Sequence, residues 1–186
     1  MKGLLAAAAL VCLFGCESVT TGTNSPWGPI NGVPFVPADG FFVESSQPNG
    51  DYDFVLVVAD RTGYCGILQQ NSFGYPSNLT YATFTLSNPV GTGSVNPPTG
   101  TYPVTANPGA TLSAQAAYGT VSSCTVSPVL TGTSGSVVMS GLAPDVSSVS
   151  GTVNVGFGAA GTLSGNFAAP LCDISGADAG PSQCYQ

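Results

Sequence analysis

Four cysteines carry the most evident chemistry of this chain. The sequence has six cysteines, and Cys65, Cys124, Cys172 and Cys184 are the four that lie beyond the apolar N-terminal region. Zinc suits them poorly, because the chain has no His and no Cys-x-x-Cys spacing. An even set of cysteines without metal-ligand spacing is typical of a disulfide framework. We therefore predict two disulfides and no metal site at these residues.

Four cysteines can pair in three ways, and the sequence alone leaves all three open. We expect Cys172 to pair with Cys184, and Cys65 with Cys124. The tail between Cys172 and Cys184 is polar and has few apolar side chains to hold it on a core. Closing such a short loop stabilises the folded state by about 3 kcal/mol in the chain-entropy model.

Acidic residues around position 50 are the candidate cation ligands. Asp51, Asp53 and Asp60 lie at the two ends of the predicted strand 52–59, and Asn49 comes just before it. The alternate residues Asn49, Asp51 and Asp53 could hold Ca²⁺, because carboxylate and amide oxygens are its ligands. The rest of an EF-hand pattern is missing, which favours a solvated turn. A hydrolase with two carboxylates would need a pair of acids across a cleft. Four other acids have the setting of turn or edge residues instead: Asp39, Glu44, Asp145 and Asp173.

Other catalytic and nucleic-acid functions have little support. A serine nucleophile needs a base, and the chain has no His and a single Lys, at position 2. The sequence also lacks a Gly-x-Ser-x-Gly elbow and a phosphate-binding glycine loop with Lys. With 2 Lys or Arg against 9 Asp or Glu, the formal net charge is -7, which excludes phosphate binding by a basic surface. We predict a protein that is not an enzyme, needs no cofactor and binds no nucleic acid.

Aromatic side chains are the remaining candidates for ligand contact. The 7 Tyr and 9 Phe could form a platform for a glycan or a peptide. Most of them occupy alternate strand positions, which predicts burial in a core. Tyr64, Tyr75 and Tyr102 lie near predicted turns, so strand alternation does not predict their burial.

The N-terminus has the pattern of an export signal. Lys2 precedes an uncharged apolar run from Leu4 to Phe14, which is too short to span a bilayer. The run ends in Leu13-Phe14-Gly15-Cys16, which resembles a bacterial lipobox. This resemblance implies cleavage before Cys16 and attachment of acyl chains, palmitate among them, to the Cys16 thiol and the new amino terminus. It also implies a membrane partner held through lipid.

Cleavage before Cys16 would remove Lys2 and change the formal charge from -7 to -8. The acyl chains would then provide the membrane attachment, since several buried chains act together. A chain with no basic patch has nothing to attract anionic headgroups. We expect a lipid anchor in the cell envelope, at the outer membrane of a Gram-negative bacterium.

Three regions follow from composition: a signal peptide at residues 1–15, lipidated Cys16 with a Pro-rich tether at residues 16–38, and one domain at residues 39–186. Four prolines favour extended geometry in the tether: Pro26, Pro29, Pro34 and Pro37. The opposing interpretation is that apolar residues of the same stretch pack onto the domain: Trp27, Ile30, Val33, Phe35 and Val36.

Alternating apolar and polar residues predict an all-β domain. Tyr52–Ala59 is apolar on both faces, so it should be a central strand. Turn signals follow at about ten-residue spacing, as in a sandwich or barrel. We predict an antiparallel β-sandwich, with barrel-like closure left open, and no helix beyond the signal peptide. Further candidate strands are 40–45, 64–69, 79–86, 100–106, 111–118, 135–140, 149–157 and 163–167.

The lipobox, the Pro-rich tether and the Gly-, Ser- and Thr-rich strands ending in Gly165-Asn166-Phe167-Ala168-Ala169-Pro170-Leu171-Cys172 resemble small all-β lipoproteins of myxobacteria. The resemblance implies location and fold class. We expect a non-catalytic envelope lipoprotein with a structural, adhesion or assembly role and an envelope protein or glycan as partner. The alternatives are a glycan- or peptide-binding module and, last, a hydrolase that uses Asp51 or Asp53.

Overall fold

The computed structural model describes residues 26–46, 52–88, 97–106, 111–178, 181 and 183–185. Strands dominate these residues. They are β1 (Gly28–Ile30), β2 (Val33–Phe35), β3 (Asp39–Ser46), β4 (Tyr52–Ala59), β5 (Tyr75–Pro76), β6 (Leu79–Ser87), β7 (Gly100–Pro103), β8 (Ser113–Ser122), β9 (Thr125–Val126), β10 (Leu130–Thr131), β11 (Ser134–Leu142), β12 (Ser148–Gly156), β13 (Thr162–Pro170) and β14 (Cys184–Tyr185), with an α-helix, α1 (Tyr64–Gln70), and a 3-10 turn (Gly158–Ala160).

Two antiparallel sheets form the predicted sandwich. The first sheet has the strand order β10-β8-β6-β4-β3, with β9 also paired to β8, and the second has the order β13-β12-β11-β7. The sheets meet at two corners through isolated bridges, Phe42 with Leu171 and Val104 with Ala114. The described strands do not close into a barrel. The all-β sandwich is therefore confirmed, and the barrel alternative is not.

Strand β4 lies inside the first sheet, as its two apolar faces predict. It pairs with β3 on one side and with β6 on the other. Its even-numbered residues, Phe54, Leu56 and Val58, point into the main core between the sheets. Its odd-numbered residues face away from that core, where Val57 and Ala59 are buried by a separate layer. Burial on both faces explains why this strand shows no polar alternation.

The main core is filled by the inner faces of both sheets. Strands β4, β6 and β8 contribute from one side, and β7, β11, β12 and β13 from the other. Tyr102 is completely buried in this core, and its hydroxyl donates a hydrogen bond to the Pro98 carbonyl. Removal of this apolar area from water is the main stabilising contribution, at about 25 cal/mol per Å².

A β-hairpin, β1–β2, closes one end of the sandwich. Asn31 and Gly32 join its strands as a two-residue turn, with φ of 52° and 77°. Trp27 and Phe35 are buried in the main core. The Trp27 carbonyl accepts a hydrogen bond from the Ser164 backbone N–H at 2.6 Å, which joins the hairpin to β13.

This hairpin corrects the predicted boundary between residues 38 and 39. Residues 27–38 belong to the folded domain, because their apolar side chains complete the main core. Val33 and Val36, in contrast, stay exposed. The prolines are compatible with this arrangement, since Pro29 and Pro34 face each other in a short two-stranded ribbon rather than inside a wide sheet. The predicted signal peptide at residues 1–15 and Cys16 lie outside the described residues.

The segment predicted as a strand at residues 64–69 is instead the helix α1, so the expectation of no helix beyond the signal peptide is wrong. Tyr64 and Leu68, one helical turn apart, face the first sheet together with Cys65. The four-residue spacing of these two apolar side chains is the helical pattern in the sequence. The segment is only 7 residues long, which is too short to distinguish this pattern from strand alternation. None of the described helices has the length and hydropathy of a membrane-spanning segment.

A covering layer packs on the outer face of the first sheet. We use this name for α1, β5 and the C-terminal segment after β13. Strand β14 pairs in parallel with β5, and the Cys172 backbone N–H donates to the Phe42 carbonyl at 2.7 Å on the edge strand β3. Phe41 and Val57 of the sheet are buried under Leu68 of this layer. The described parts of the tail predicted to be a stapled loop therefore lie along α1 and β5, over the first sheet.

The other predicted strands are present with shifted ends. The strand predicted at 100–106 ends at Pro103 in β7, and the one predicted at 111–118 runs on to Ser122 in β8. The strands predicted to begin at Gly135 and Val149 are β11 and β12, and each begins one residue earlier than predicted. These shifts follow the pairing of neighbouring strands, which local sequence does not encode.

Candidate functional site

The four predicted cysteines form two disulfides, in a pairing that differs from the expected one. Cys65 is bonded to Cys172 with 5.8 Å between the Cα atoms, and Cys124 is bonded to Cys184 with 5.6 Å. Both bonds anchor the C-terminal segment, one at each end. The predicted pairs Cys172–Cys184 and Cys65–Cys124 are therefore wrong.

The positions of the two ends of the tail explain the observed pairing. Cys172 follows β13 directly and lies beside α1, which carries Cys65. Cys184 lies in β14, and the partner strand β5 leads to Ser77, whose carbonyl accepts the Cys124 N–H at 2.9 Å. Because the segment crosses the sheet, its two cysteines meet different elements instead of each other. Local loop closure did not reveal this, since both partners are distant in sequence.

The candidate cation ligands are not assembled in the described part of the chain. Asn49 and Asp51 lie outside the described residues. Asp53 is buried at the start of β4, and one carboxylate oxygen of Asp60 accepts the Thr80 backbone N–H at 2.8 Å. Within the described ranges, no group of three His, Cys, Asp or Glu side chains is placed to hold a metal ion.

Asp145, Asp173 and Asp39 accept hydrogen bonds from backbone N–H groups close to turns, as their sequence setting predicts. Asp145 accepts bonds from the Ser147 hydroxyl and backbone N–H at 2.6 and 3.1 Å, and these two bonds lower the pKa of its carboxyl. Asp173 accepts the Ser175 N–H at 2.9 Å, which likewise lowers its pKa. The two Asp39 oxygens accept the N–H groups of Gly40 and Gly63, at 2.9 and 3.0 Å. Glu44 is exposed on β3.

The tyrosines pack either in the main core between the sheets or beneath the covering layer. Tyr102 is one of the sequence candidates for ligand contact, but it lies entirely in the main core. Burial raises the pKa of its hydroxyl. Tyr64, Tyr75 and Tyr81 surround Ala59 and its neighbours under the covering layer. The Tyr64 ring meets the Phe41 ring edge-to-face at 5.8 Å between centroids. These three tyrosines are half-buried, so packing is their main role.

A groove remains open on the outer face of the first sheet, beside the covering layer. It has a volume of about 290 Å³ and lies over β6, β8 and β10. We call it the threonine groove, because half of its lining residues are threonine. Sequence reasoning missed it, although Thr83 and Thr85 already alternate with apolar residues on β6. Its lining consists of Thr83, Thr85, Thr105, Ala106, Gln115, Ala116, Ala117 and Thr131.

Register places the groove residues in cross-strand rows. Thr83 of β6 lies between Val57 of β4 and Ala117 of β8, and Ala117 lies opposite Thr131 of β10. The row therefore changes from apolar on β4 to hydroxyl-bearing on β6 and β10. The covering layer packs on the apolar part, at Val57.

The outer face of the second sheet is entirely uncharged. None of its four strands contains Asp, Glu, Lys or Arg. Thr152 and Asn154 of β12 and Ser164 and Asn166 of β13 are exposed there. Because these side chains are short and sit on a paired sheet, the face is a rigid array of hydroxyl and amide groups.

No protein-family model, no curated protein and no solved structure matches this chain.

Proposed function

We propose that the chain is an exported, lipid-anchored envelope protein whose β-sandwich has a non-catalytic structural, adhesion or assembly role. The observation that carries the proposal is the pair of disulfides that fastens the covering layer. Disulfides persist in oxidising compartments and are rare in the cytosol. They support export, which the apolar N-terminus and the lipobox-like Leu13-Phe14-Gly15-Cys16 also indicate.

The polarity of the surface supports contact with uncharged partners. The second sheet presents hydroxyl and amide groups without charge, whereas a typical soluble domain is about a quarter charged residues. Such a face neither attracts nor repels an anionic envelope, and it offers donors and acceptors to a neutral one. This composition suits a domain that touches other envelope components for long periods.

The position of the hairpin limits the distance between anchor and domain. Among the described residues Trp27 is the first that is buried, and 11 positions separate it from Cys16. At 3.3–3.6 Å per residue, even a fully extended chain covers no more than about 40 Å. In the proposed arrangement the hairpin end of the sandwich is tied close to the membrane, and the opposite end faces outward.

The intact mass of the detergent-extracted protein, with and without reduction, tests this proposal. We expect cleavage before Cys16, added acyl chains, and alkylation of four cysteines only after reduction. A Cys16→Ser variant is the matched control and should lose the acyl mass while keeping both disulfides. An unlipidated Cys16 in the native protein would show that the protein has no lipid anchor there. Thiols that react before reduction would show that the disulfides are absent, and the argument for export would fail.

The second candidate function is a binding module for a glycan or a peptide. The open threonine groove is the specific observation that favours it, because a groove with side-chain donors and acceptors is the ordinary form of a small-ligand site. This candidate is compatible with an adhesion role for the anchored domain.

A further inference from the structure

We propose that the threonine groove binds one neutral sugar unit of an envelope or extracellular polysaccharide. This inference rests on the proposed adhesion role and gives it a ligand class. The groove volume, about 290 Å³, is at the lower limit for small-molecule sites, which suits a single ring within a longer chain.

The lining has the hydrogen-bonding chemistry that sugar hydroxyls require. A threonine hydroxyl can donate one bond and accept others. The Gln115 amide has donors and an acceptor, and its Nε2 donates to the Ala106 carbonyl of the same lining at 3.4 Å, so its oxygen is the group that can accept from a sugar hydroxyl. Thr83 and Thr85 lie two positions apart on one face of β6, which separates them by about 7 Å. That spacing allows them to meet hydroxyls on two sides of one ring.

Charge selects for a neutral ligand. No lining residue is charged. A phosphate or carboxylate would need Arg or Lys, and Arg61, the single cation in the described residues, is not part of the groove. The protein is negative overall, so an anionic sugar would also meet repulsion at long range.

Apolar contacts complete the site. Ala117, on the outward face of β8, supplies a methyl group against which the C–H face of a sugar can pack, whereas the Ala116 side chain points into the main core. Tyr81 takes the next outward position on β6 beyond Thr83, over Gly119 of β8. A methyl group at residue 119 would come within 2.6 Å of the Tyr81 ring, so the glycine makes room for this aromatic neighbour.

The pairing of the sheet favours a sugar over a peptide. Strand β6 is bonded to both β4 and β8, and β8 is bonded to both β6 and β10. Their backbone N–H and C=O groups are therefore used inside the sheet, so a peptide could add as a strand only at the outer edge of β10 and not over the floor of the groove. On that floor the groups that can meet a ligand are side chains such as the Thr83 and Thr85 hydroxyls, and they match a polyhydroxylated ligand.

Chemical-shift mapping on the oxidised, detergent-solubilised chain tests the proposal. The probes are hexasaccharides of glucose, mannose, galactose and N-acetylglucosamine, with hexagalacturonate as the charged counterpart. We expect at least one neutral probe to shift the groove resonances, with a Kd on the order of 1 mM for a site of this size. Hexagalacturonate should leave those resonances unchanged.

Two isosteric variants and a control identify the groups responsible. Thr83→Val and Thr85→Val should each weaken binding about three- to tenfold, because each removes one hydrogen bond and keeps the strand intact. Thr152→Val, on the uncharged second sheet, should bind like the original protein. Unchanged thermal melting shows that a loss of binding is not a loss of fold.

Three results would overturn the groove as a neutral-sugar site: no groove shift with any of the four neutral hexasaccharides, equal binding by both valine variants, or stronger binding of a neutral decapeptide. Each of these leaves the mass measurement on Cys16 untouched. Failure of the groove is thus distinguishable from failure of the anchored-lipoprotein proposal.

Discussion

Gly165 shows how one missing side chain sets a contact between two parts of the fold. It lies on β13 under the ring of Trp27, where a Cβ atom would be 2.3 Å from the indole Nε1. That distance is far shorter than a van der Waals contact. The hairpin therefore packs on the second sheet because this position has no side chain.

We predict that Gly165→Ala destabilises the protein by about 1 to 3 kcal/mol, since Trp27 has to move out of its buried position. Urea unfolding followed by circular dichroism measures the loss. Gly176→Ala is the matched control, because no atom lies within 4 Å of its added Cβ. Equal midpoints for both variants would contradict the close contact of Trp27 with β13.

Tyr64 makes stability dependent on pH in the alkaline range. Burial, and then the neighbouring Tyr81, raises the pKa of Tyr64 to about 12 from an ordinary value of 10.0. Above pH 10 the unfolded chain loses this proton more readily than the folded one, so stability falls as pH rises. Its contribution is complete below pH 10 and disappears as pH approaches 12.

We therefore expect the free energy of unfolding to fall between pH 10 and 12, and to fall less steeply in Tyr64→Phe. Urea titrations at fixed pH values give the two slopes. Three other hydroxyls whose pKa is raised by burial supply the remaining slope: Tyr81, Tyr102 and Tyr118. Identical slopes for the variant and the original chain would show that Tyr64 ionises as freely when folded as when unfolded.

At the scale of elements, the β1–β2 hairpin is the part that the sequence describes least directly. Its prolines suggested a tether, while Asn31-Gly32 between apolar residues is itself a strong hairpin signal. The two signals conflict locally. Tertiary packing resolves the conflict, because Trp27, Ile30 and Phe35 gain burial in the main core.

A chain that begins at residue 39 should be less stable than one that begins at residue 26, by about 4 kcal/mol or more, since it loses three buried apolar side chains. Urea unfolding of both chains by circular dichroism gives the difference. Val33→Ser in the longer chain should have little effect, because Val33 is 63% exposed. Equal stability of the two chains would show that the hairpin adds nothing to the stability of the domain and acts only as a tether.

At the scale of the whole molecule, the two disulfides connect distant parts of the chain. Cys65–Cys172 spans 107 residues and Cys124–Cys184 spans 60. In the chain-entropy model, longer loops restrict the unfolded state more, which corresponds to about 5 and 4 kcal/mol. The covering layer depends on these bonds, because few apolar side chains hold the C-terminal segment on the sheet.

Single substitutions distinguish the pairings. Cys172→Ala should leave Cys65 as the one reactive thiol, and Cys184→Ala should leave Cys124, each read by alkylation and peptide mass without reduction. The double variant Cys65→Ala with Cys172→Ala should unfold at lower urea than Cys124→Ala with Cys184→Ala. A reactive Cys184 in the Cys172→Ala chain would instead support the local pairing across the tail.

By itself the sequence determined the fold class, the central position of β4 and the set of disulfide cysteines. The fold class follows from alternation along most strands, the central position of β4 from its continuous apolar run, and the disulfide set from composition, so none of them needs knowledge of distant contacts. It did not determine α1, the role of the hairpin or the disulfide partners. Only the tertiary structure decided them, because each depends on surfaces separated by tens of residues in the chain, as Cys65 and Cys172 are. The threonine groove has the same origin, since it exists only where β6, β8 and β10 lie side by side.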